Sequence, residues 1–531
     1  MSSPKHSHTL DPVGSSHDVF CSKTTTDTMT STSSKRPTTL IETGLLNASV
    51  RFEDVESEGR PSIYLFIFVN PLSGDCKGED LVKLPIQHFR LRRFPQVQVE
   101  IHNILDPRDR DLGLANIRLV EEMAKLGKLP SLNKHNESEA EHKIGEAVRT
   151  RHIHVWSAGG DGTVMSVFEM LVSHMIDLDM IFFSCIPFGT GNDFSQVLGW
   201  GRTIPHTDIL GKRLSHLEEI ITERLQNSEV ARLDIWQVEM SAHSDGYVRL
   251  AGPKRKDGHD VLEIASQNSE EKLMITKKMS NYMSIGVQGY VGSGFEKHRA
   301  GNRLVNMLVY TIESAKWVFW RRFPSVTEFI DKIVHKGDTI LTCSGPDDSN
   351  TDVNANIDNK IPTMKKRSID FVIQNIPHIW GREVDLWGDT KYGLDVIKNR
   401  SGATDPNNWT QQLANDGKLE IMAIENMRSY IKELANMRNH VFRVGQFDAP
   451  FDIEFCKKSD KRQSWYENSY KKNNVICIMC DGEFYVIKNP KALKFKRYAQ
   501  IWTLGRNDEK KMGRLVQDEQ AIGLRQKKKP I

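Results

Sequence analysis

The stretch HVWSAGGDGTVMSVFEMLVSHM, His154 to Met175, decides how this chain is read. An apolar run with strand character ends at Ser157 or Ala158, breaks into Gly159-Gly160-Asp161-Gly162-Thr163, and gives way at once to a helical pattern. Val164, Val167, Phe168, Leu171 and Met175 fall on one face of the predicted helix. The glycines therefore lie outside the carboxyl end of a strand, where open α/β sheets bind ligands. Glycine lets backbone N–H groups approach an anion and permits positive φ. The helix start that follows favours negative charge. This is the chemistry of a phosphate cradle. Asp161 adds a carboxylate able to hold Mg2+ or accept a proton.

A single glycine turn is often no more than a tight turn, but here the pattern recurs. IPFGTGNDFSQVLGWG, Ile186 to Gly201, again follows a buried run and carries Gly189, Thr190 and Gly191 ahead of Asn192-Asp193 at a helix start. The first strand, in IYLFIFVN, ends in NPLSGDCKG, with Asn70, Pro71, Ser73 and Gly74 in a third small-residue turn. Loops on three successive strands are expected to converge at one sheet edge.

Strands at IYLFIFVN, QVQVEI, HIHVWS and MIFFSCIPFG alternate with helical segments such as DLGLANIRLVEEMAKLGK. That rhythm predicts a parallel sheet with right-handed crossovers, an α/β domain over 61–225. From about Val230 the rhythm changes. LDIWQVEM, NYMSIGVQGYV, IDFVIQNIP, KLEIMAIE, FDIEF and NVICIMC read as strands without regular helices between them, which predicts an antiparallel β domain over 226–495. Polar stretches near 131–143, 241–275 and 344–366 read as insertions. Residues 1–60 are treated as a disordered Ser/Thr-rich segment, and 496–531 as a basic tail ending in Lys527-Lys528-Lys529.

At 531 residues, 38% apolar and 27% charged, the chain suits a globular protein of two to four domains. A net charge of +3 is too small to imply a nucleic-acid partner. No apolar run approaches the ~20 residues of a membrane span, and the N-terminus shows no secretory segment. Seven cysteines are odd in number and sparse, which argues against a disulfide framework and for a reducing, cytoplasmic setting. Cys477 and Cys480 form a lone C-x-x-C, read as two buried thiols on a strand.

The three turns together resemble the signatures of the diacylglycerol kinase and sphingosine kinase superfamily: NPLSG, AGGDGT and PFGTGND. SQVLGWG, LDIWQVE, NYMSIGVQGYV, NIPHIWGREVDLWGD and DGKLEIMAI narrow the likeness to eukaryotic diacylglycerol kinases, over roughly Ser62 to Pro490. The resemblance implies ATP-dependent phosphorylation of diacylglycerol to phosphatidic acid. It also implies a Rossmann-like parallel-sheet catalytic domain and a β-sandwich accessory domain with the active site between them. Carried over by position, Asn70, Pro71, Ser73, Gly74, Gly159, Gly160, Gly162, Thr163, Gly189, Thr190, Gly191 and Asn192 would line the ATP site. Asp161, Asp193 and Asp234 would join a water–Mg2+ network. Asp481, in CDGEF, would draw the proton from the lipid hydroxyl, supported by Glu483. On the residues alone, Asp481-Gly482 reads as a plain hairpin turn, Asp234 as a strand-edge carboxylate, and Lys77 is a candidate for holding phosphates. Asp385 to Asp389 can bind a structural cation or form a solvated loop.

Two features depart from animal members: the cysteines cannot build paired zinc modules, and no D-x-D-x-D-G calcium loop is present. The substrate lies in a bilayer, so peripheral contact is expected. Trp317, Phe319 and Trp320 beside Arg321 and Arg322 suit a headgroup interface or, equally, the packed side of a helix. The terminal lysines would add attraction to anionic lipid. A sphingosine or ceramide kinase and a non-catalytic lipid-binding scaffold are the alternatives.

Overall fold

The computed structural model describes residues 61–506, apart from 133–147, 149, 190, 207, 252–270, 299–302, 318–322, 344–360, 379–385, 391–392, 394, 435–440 and 458–472. The two termini and the Lys527-Lys528-Lys529 run lie outside the described residues, as do Thr190, Asp385, Phe319, Trp320, Arg321 and Arg322.

The first unit is built on strands β1 (Ile63–Val69), β2 (His88–Arg90), β3 (Val97–Asn103), β4 (Ile153–Gly159) and β5 (Ile181–Pro187). β3, β1, β4 and β5 are parallel neighbours in that order, with β2 antiparallel on the outer side of β3. β1 is buried on both faces: Tyr64, Phe66 and Phe68 point into one core, and Ile63, Leu65, Ile67 and Val69 into the other. That explains a continuous apolar run rather than an alternating one. Each of these side chains gains roughly 1.5–3 kcal/mol on burial.

Helices α1 (Ser73–Cys76), α2 (Pro107–Lys125), α3 (Asp161–Ser173), α4 (Asp193–Val197) and α5 (Ser215–Gln226) complete the unit. α2 starts before the predicted Asp111, because Asp106 accepts from Arg108 N–H as N-cap and Pro107 fits the first turn. In α3 the buried face is Val164, Met165, Val167, Phe168 and Leu171. Met175, expected on that face, is 78% exposed, because the helix ends before it and its φ is +54°.

The second unit contains β6 (Ser228–Leu250), β7 (Met274–Met279), β8 (Tyr282–Gly286), β9 (Ile330–His335), β10 (Asp338–Thr342), β11 (Thr363–Met364), β12 (Asp370–Gln374), β13 (Ile397–Lys398), β14 (Lys418–Ile424), β15 (Val441–Asp448), β16 (Phe451–Phe455), β17 (Val475–Cys480) and β18 (Glu483–Arg506). One leaf runs β17-β8-β12-β14-β15, all antiparallel. The other runs β16-β9-β10-β11-β13. An apolar core including Met283, Ile285, Ile333, Phe371, Ile421 and Ile453 lies between them. β6 and β18 form a long antiparallel ribbon, and β18 also pairs with β16 and β17.

Several boundaries differ from expectation. NYMSIGVQGYV is half strand and half helix: after Gly286 the chain enters α6 (Val287–His298), which buries Val287, Tyr290 and Val291 at helical spacing. α7 (Arg303–Ala315) follows, so this unit does contain helices. The polar stretch from 241 continues β6 to Leu250. The tail placed from 496 is strand as far as Arg506, and Thr503 pairs with Phe183 of β5, so the chain's last strand returns to the first unit's sheet. Trp317 is 1% exposed and stacks on Phe323 at 4.7 Å, which is the packed-helix outcome. Leu386 and Trp387 are buried in a short helix, Leu386–Asp389, rather than in a solvated loop. Cys477 and Cys480 are buried thiols in different core clusters on opposite faces of β17.

Candidate active site

The three glycine loops leave the carboxyl ends of β1, β4 and β5 and touch one another. Asn70 N–H donates to Ala158 O at 2.9 Å, and Phe188 N–H to Gly159 O at 3.0 Å. Asn70 Nδ2 reaches Thr163 Oγ1 at 3.4 Å, both side chains being buried. Asp161 N–H donates to Gly191 O at 3.1 Å. The glycines serve close approach rather than unusual dihedrals. A Cβ on Gly189 would stand 2.4 Å from Gly160 Cα, and one on Gly159 would stand 2.3 Å from Thr163 Oγ1. Of the predicted loop glycines only Gly74 has positive φ, at +58°, and there a Cβ would meet Phe188 O at 1.8 Å.

Asn192 is buried and staples the third loop, donating from Nδ2 to Gly189 O at 2.6 Å and Arg202 O at 2.8 Å. No side chain caps α3, whose first amide, that of Asp161, is taken by Gly191 O. Asp161, half-buried, instead caps α4: Oδ2 accepts from Asp193 N–H and Oδ1 from Phe194 N–H, each at 3.0 Å.

Asp481 lies near enough to Asp161 for the two charges to interact. With Gly482 it forms the two-residue turn between β17 and β18, at φ +45° and +82°. Asp-Gly in such a turn is what a primed hairpin requires, as the hairpin reading expected. The carboxylate rests in a nest of amides. Oδ2 accepts from Ser280 N–H at 2.6 Å, and Oδ1 from Asn281 and Tyr282 N–H at 3.0 Å each. Burial pushes its pKa up to about 6. The amide bonds pull the other way, and the charge of Asp161 adds to the rise. The Ser280 hydroxyl stands 3.3 Å from Oδ2 and 3.0 Å from Asn281 Oδ1.

Comparison with known proteins shows which family these features belong to. A model described as "Diacylglycerol kinase catalytic domain" matches residues 64–233, and one described as "Diacylglycerol kinase accessory domain" matches 278–484, together well over half of the chain. The chain belongs to the diacylglycerol kinase family.

It is 25% identical to diacylglycerol kinase 4 of Arabidopsis thaliana over 266 residues, 47% of this chain and 48% of that protein. It is 29% identical to diacylglycerol kinase 2 of the same plant over 174 residues, 32% of this chain and 20% of that protein. It is 26% identical to human diacylglycerol kinase theta over 237 residues, 44% and 18% of the two chains. The chain thus spans at most about half the length of these relatives. The solved structure of a Bacillus anthracis protein described as a diacylglycerol kinase superposes with a TM-score of 0.38 at 14% identity, covering 84% of this chain and 98% of that one, too distant to carry an argument.

Against the family pattern, Pro71, Gly160, Asp161, Gly162, Gly189 and Gly191 keep some exposure at the loop cluster, whereas Asn70, Ser73, Thr163 and Asn192 are buried beneath it and hold the loops. Asp234 is the third acid of the expected Mg2+ network. It is fully buried on β6, accepting from Gly417 N–H at 2.8 Å and Gln500 Nε2 at 2.9 Å, with Arg497 at 3.6 Å. All three partners belong to the second unit, so these bonds tie β6 to β18 and to the turn before β14. Among the described residues no three His, Cys, Asp or Glu side chains gather as a metal-ligand set. Glu483 stands two residues beyond Asp481, with Oε2 bound by Tyr485 OH at 2.6 Å and Lys277 Nζ at 3.1 Å.

Lys277 also lies 3.8 Å from Glu169 of α3 and thus bridges the units. Burial pulls its pKa down, but the two carboxylates outweigh that and raise it. Lys277 and the Ser280–Tyr282 nest were missed by reading the sequence. Their neighbour NYMSIG was visible only as a strand, and nothing local marks a backbone amide as the holder of a carboxylate 200 residues away.

Proposed function

We propose that this protein transfers the γ-phosphoryl group of ATP to the free hydroxyl of 1,2-diacylglycerol, giving phosphatidic acid. The observation that carries the reading is Asp481, its pKa raised into the working range, close enough to Asp161 of the glycine-loop cluster for the two charges to interact. The loop amides and the start of α3 would bind the phosphates, with Lys77 beside the first loop. Asp481 would take the hydroxyl proton, a step worth typically 10²–10⁴-fold. Glu483, clamped by Lys277 and Tyr485, would fix the hairpin that carries it.

Asp161 and Asp193 suit Mg2+, which is commonly held by one or two carboxylates plus substrate phosphates and waters. When bound, the metal offsets charge on the phosphate oxygens. We read the two leaves of the accessory unit as a β-sandwich and the enzyme as cytoplasmic, working peripherally on membranes. No helix among the described residues is long and apolar enough to cross one.

The test is ATP-dependent phosphate incorporation by purified protein into diacylglycerol and, separately, sphingosine in mixed micelles. Incorporation into diacylglycerol, at least a hundredfold reduced in Asp481→Asn, is expected. Preference for sphingosine, or no incorporation into either lipid, would overturn the proposal.

A further inference from the structure

The leaf beside Asp481 buries a row of polar side chains. The register sets Tyr282 of β8 opposite Gln374 of β12, Gln374 opposite Glu420 of β14, and Glu420 opposite Gln446 of β15. Strand alternation puts Tyr282, Gln374 and Glu420 on the face shared by Val372 and Met422, which packs with α6 residues Val287 and Tyr290. Gln446 is satisfied: Nε2 donates to Glu420 Oε1 at 2.8 Å, and Oε1 accepts from Thr410 N–H at 3.1 Å.

The rest of the row is not satisfied. Both polar side-chain atoms of Gln374, both of Gln412 and Oε2 of Glu420 find no hydrogen-bond partner among the described residues, and all three residues are 0% exposed. Burial pushes the Glu420 carboxyl well above the usual carboxylate range, while the nearby Gln412 and Gln446 amides pull it down. Over about 90% of buried polar groups in native proteins are paired, and each orphan costs about 1–3 kcal/mol. Five orphaned atoms on three neighbouring side chains are therefore a concentrated cost unless something polar binds there.

Position says what that would be. Tyr282, the near end of the row, exchanges backbone hydrogen bonds with Asp481: its N–H donates to Oδ1, and its carbonyl accepts from Asp481 N–H. Neighbouring strands lie about 4.8 Å apart, so Gln374 is one strand, and Glu420 two, beyond the residue that holds the base. Gln374 ends β12, and two residues later Ile376 packs into the catalytic core, so the row lies on the margin of the leaf that meets the catalytic unit.

We infer that Gln374, Gln412 and Glu420 form a subsite for the ester carbonyls of the acceptor when its free hydroxyl reaches Asp481. The inference rests on the kinase reading above. Ester carbonyls only accept hydrogen bonds, and the Gln374 amide is a donor held dry for them, with the Gln412 amide turned to the Glu420 carboxyl beside it. The subsite would thus read the diester character of the glycerol, which the loops and Asp481 do not touch.

The test gives the whole protein 1,2-dioctanoylglycerol or its diether counterpart, 1,2-dioctylglycerol, in mixed micelles with saturating ATP. The unmodified enzyme is expected to prefer the diester by about tenfold in kcat/KM, the worth of one or two neutral hydrogen bonds. Gln374→Leu should erase most of that preference through the diester KM. The diether and ATP constants should not move, and the thermal midpoint should hold or rise, since an unpaired buried amide is gone. Gln412→Leu, should Gln374→Leu not fold, is expected to behave alike. Equal use of both lipids by the unmodified enzyme would overturn the inference. So would losses spread evenly over diester, diether and ATP with a lowered midpoint, the mark of a purely structural, hydrated cluster. Failure to phosphorylate any glycerolipid would instead remove the kinase reading beneath it.

Discussion

Asp481 holds a carboxylate among three amide donors and still has its pKa raised to about 6, because burial outweighs those bonds and Asp161 opposes a second negative charge. As a base it must be deprotonated, so kcat/KM should fall on the acid side, about tenfold per unit below pH 6, and level off above it. A pH–rate profile with its acid limb near the ordinary carboxylate value of about 4 would count against this residue. Asp161 has two roles at once. Its side chain caps α4 from outside the helix, so Asp161→Ala is not a neutral loop change: it should cost about 1 kcal/mol in urea unfolding. Asp161→Asn, which keeps one acceptor, should recover part of that stability but little of the activity.

At the scale of elements, the loops work by contact between backbones. Gly189 and Gly160 face each other with no room for a Cβ, so Gly189→Ala should separate the second and third loops and raise the KM for ATP about tenfold or more, leaving the diacylglycerol KM near its original value. An unchanged ATP KM would show that the two loops do not act together. The β17–β18 hairpin has a comparable constraint in Gly482 at φ +82°, where any side chain strains the turn that aims Asp481. These element-level features were legible in part. GGDGT and GTGND announced glycine turns at strand ends, but not that their glycines are needed for mutual approach rather than for positive φ. That distinction depends on which loops become neighbours.

Across the whole molecule, the β6–β18 ribbon and the Lys277 bridge join the two units. Lys277 lies between Glu169 of the catalytic helix and Glu483 of the Asp481 hairpin. Lys277→Met would leave the largely buried Glu483 without its cation. We expect a loss on the order of 1–3 kcal/mol in unfolding, below the ~3–5 of a fully buried pair because Glu169 is more open to water. Turnover should fall more than nucleotide affinity, since the base and the loops lose their common tie. Intact stability and turnover would show that the bridge is incidental.

Read alone, the chain determined its local signals: apolar strands, glycine turns at their ends, capped helices, an Asp-Gly hairpin, and motifs specific enough to name a kinase family. Each depends on residues close together in sequence, where propensity and periodicity act. Only the tertiary structure decided that Asp234 is buried between Gly417 and Gln500, that the last described strand returns to the first sheet, that Met175 leaves its helix, and that Gln374, Gln412 and Glu420 share a buried margin beside Asp481. Those outcomes depend on pairings between residues far apart in the chain, and the free energy of burying a polar group is set by neighbours that only folding brings together.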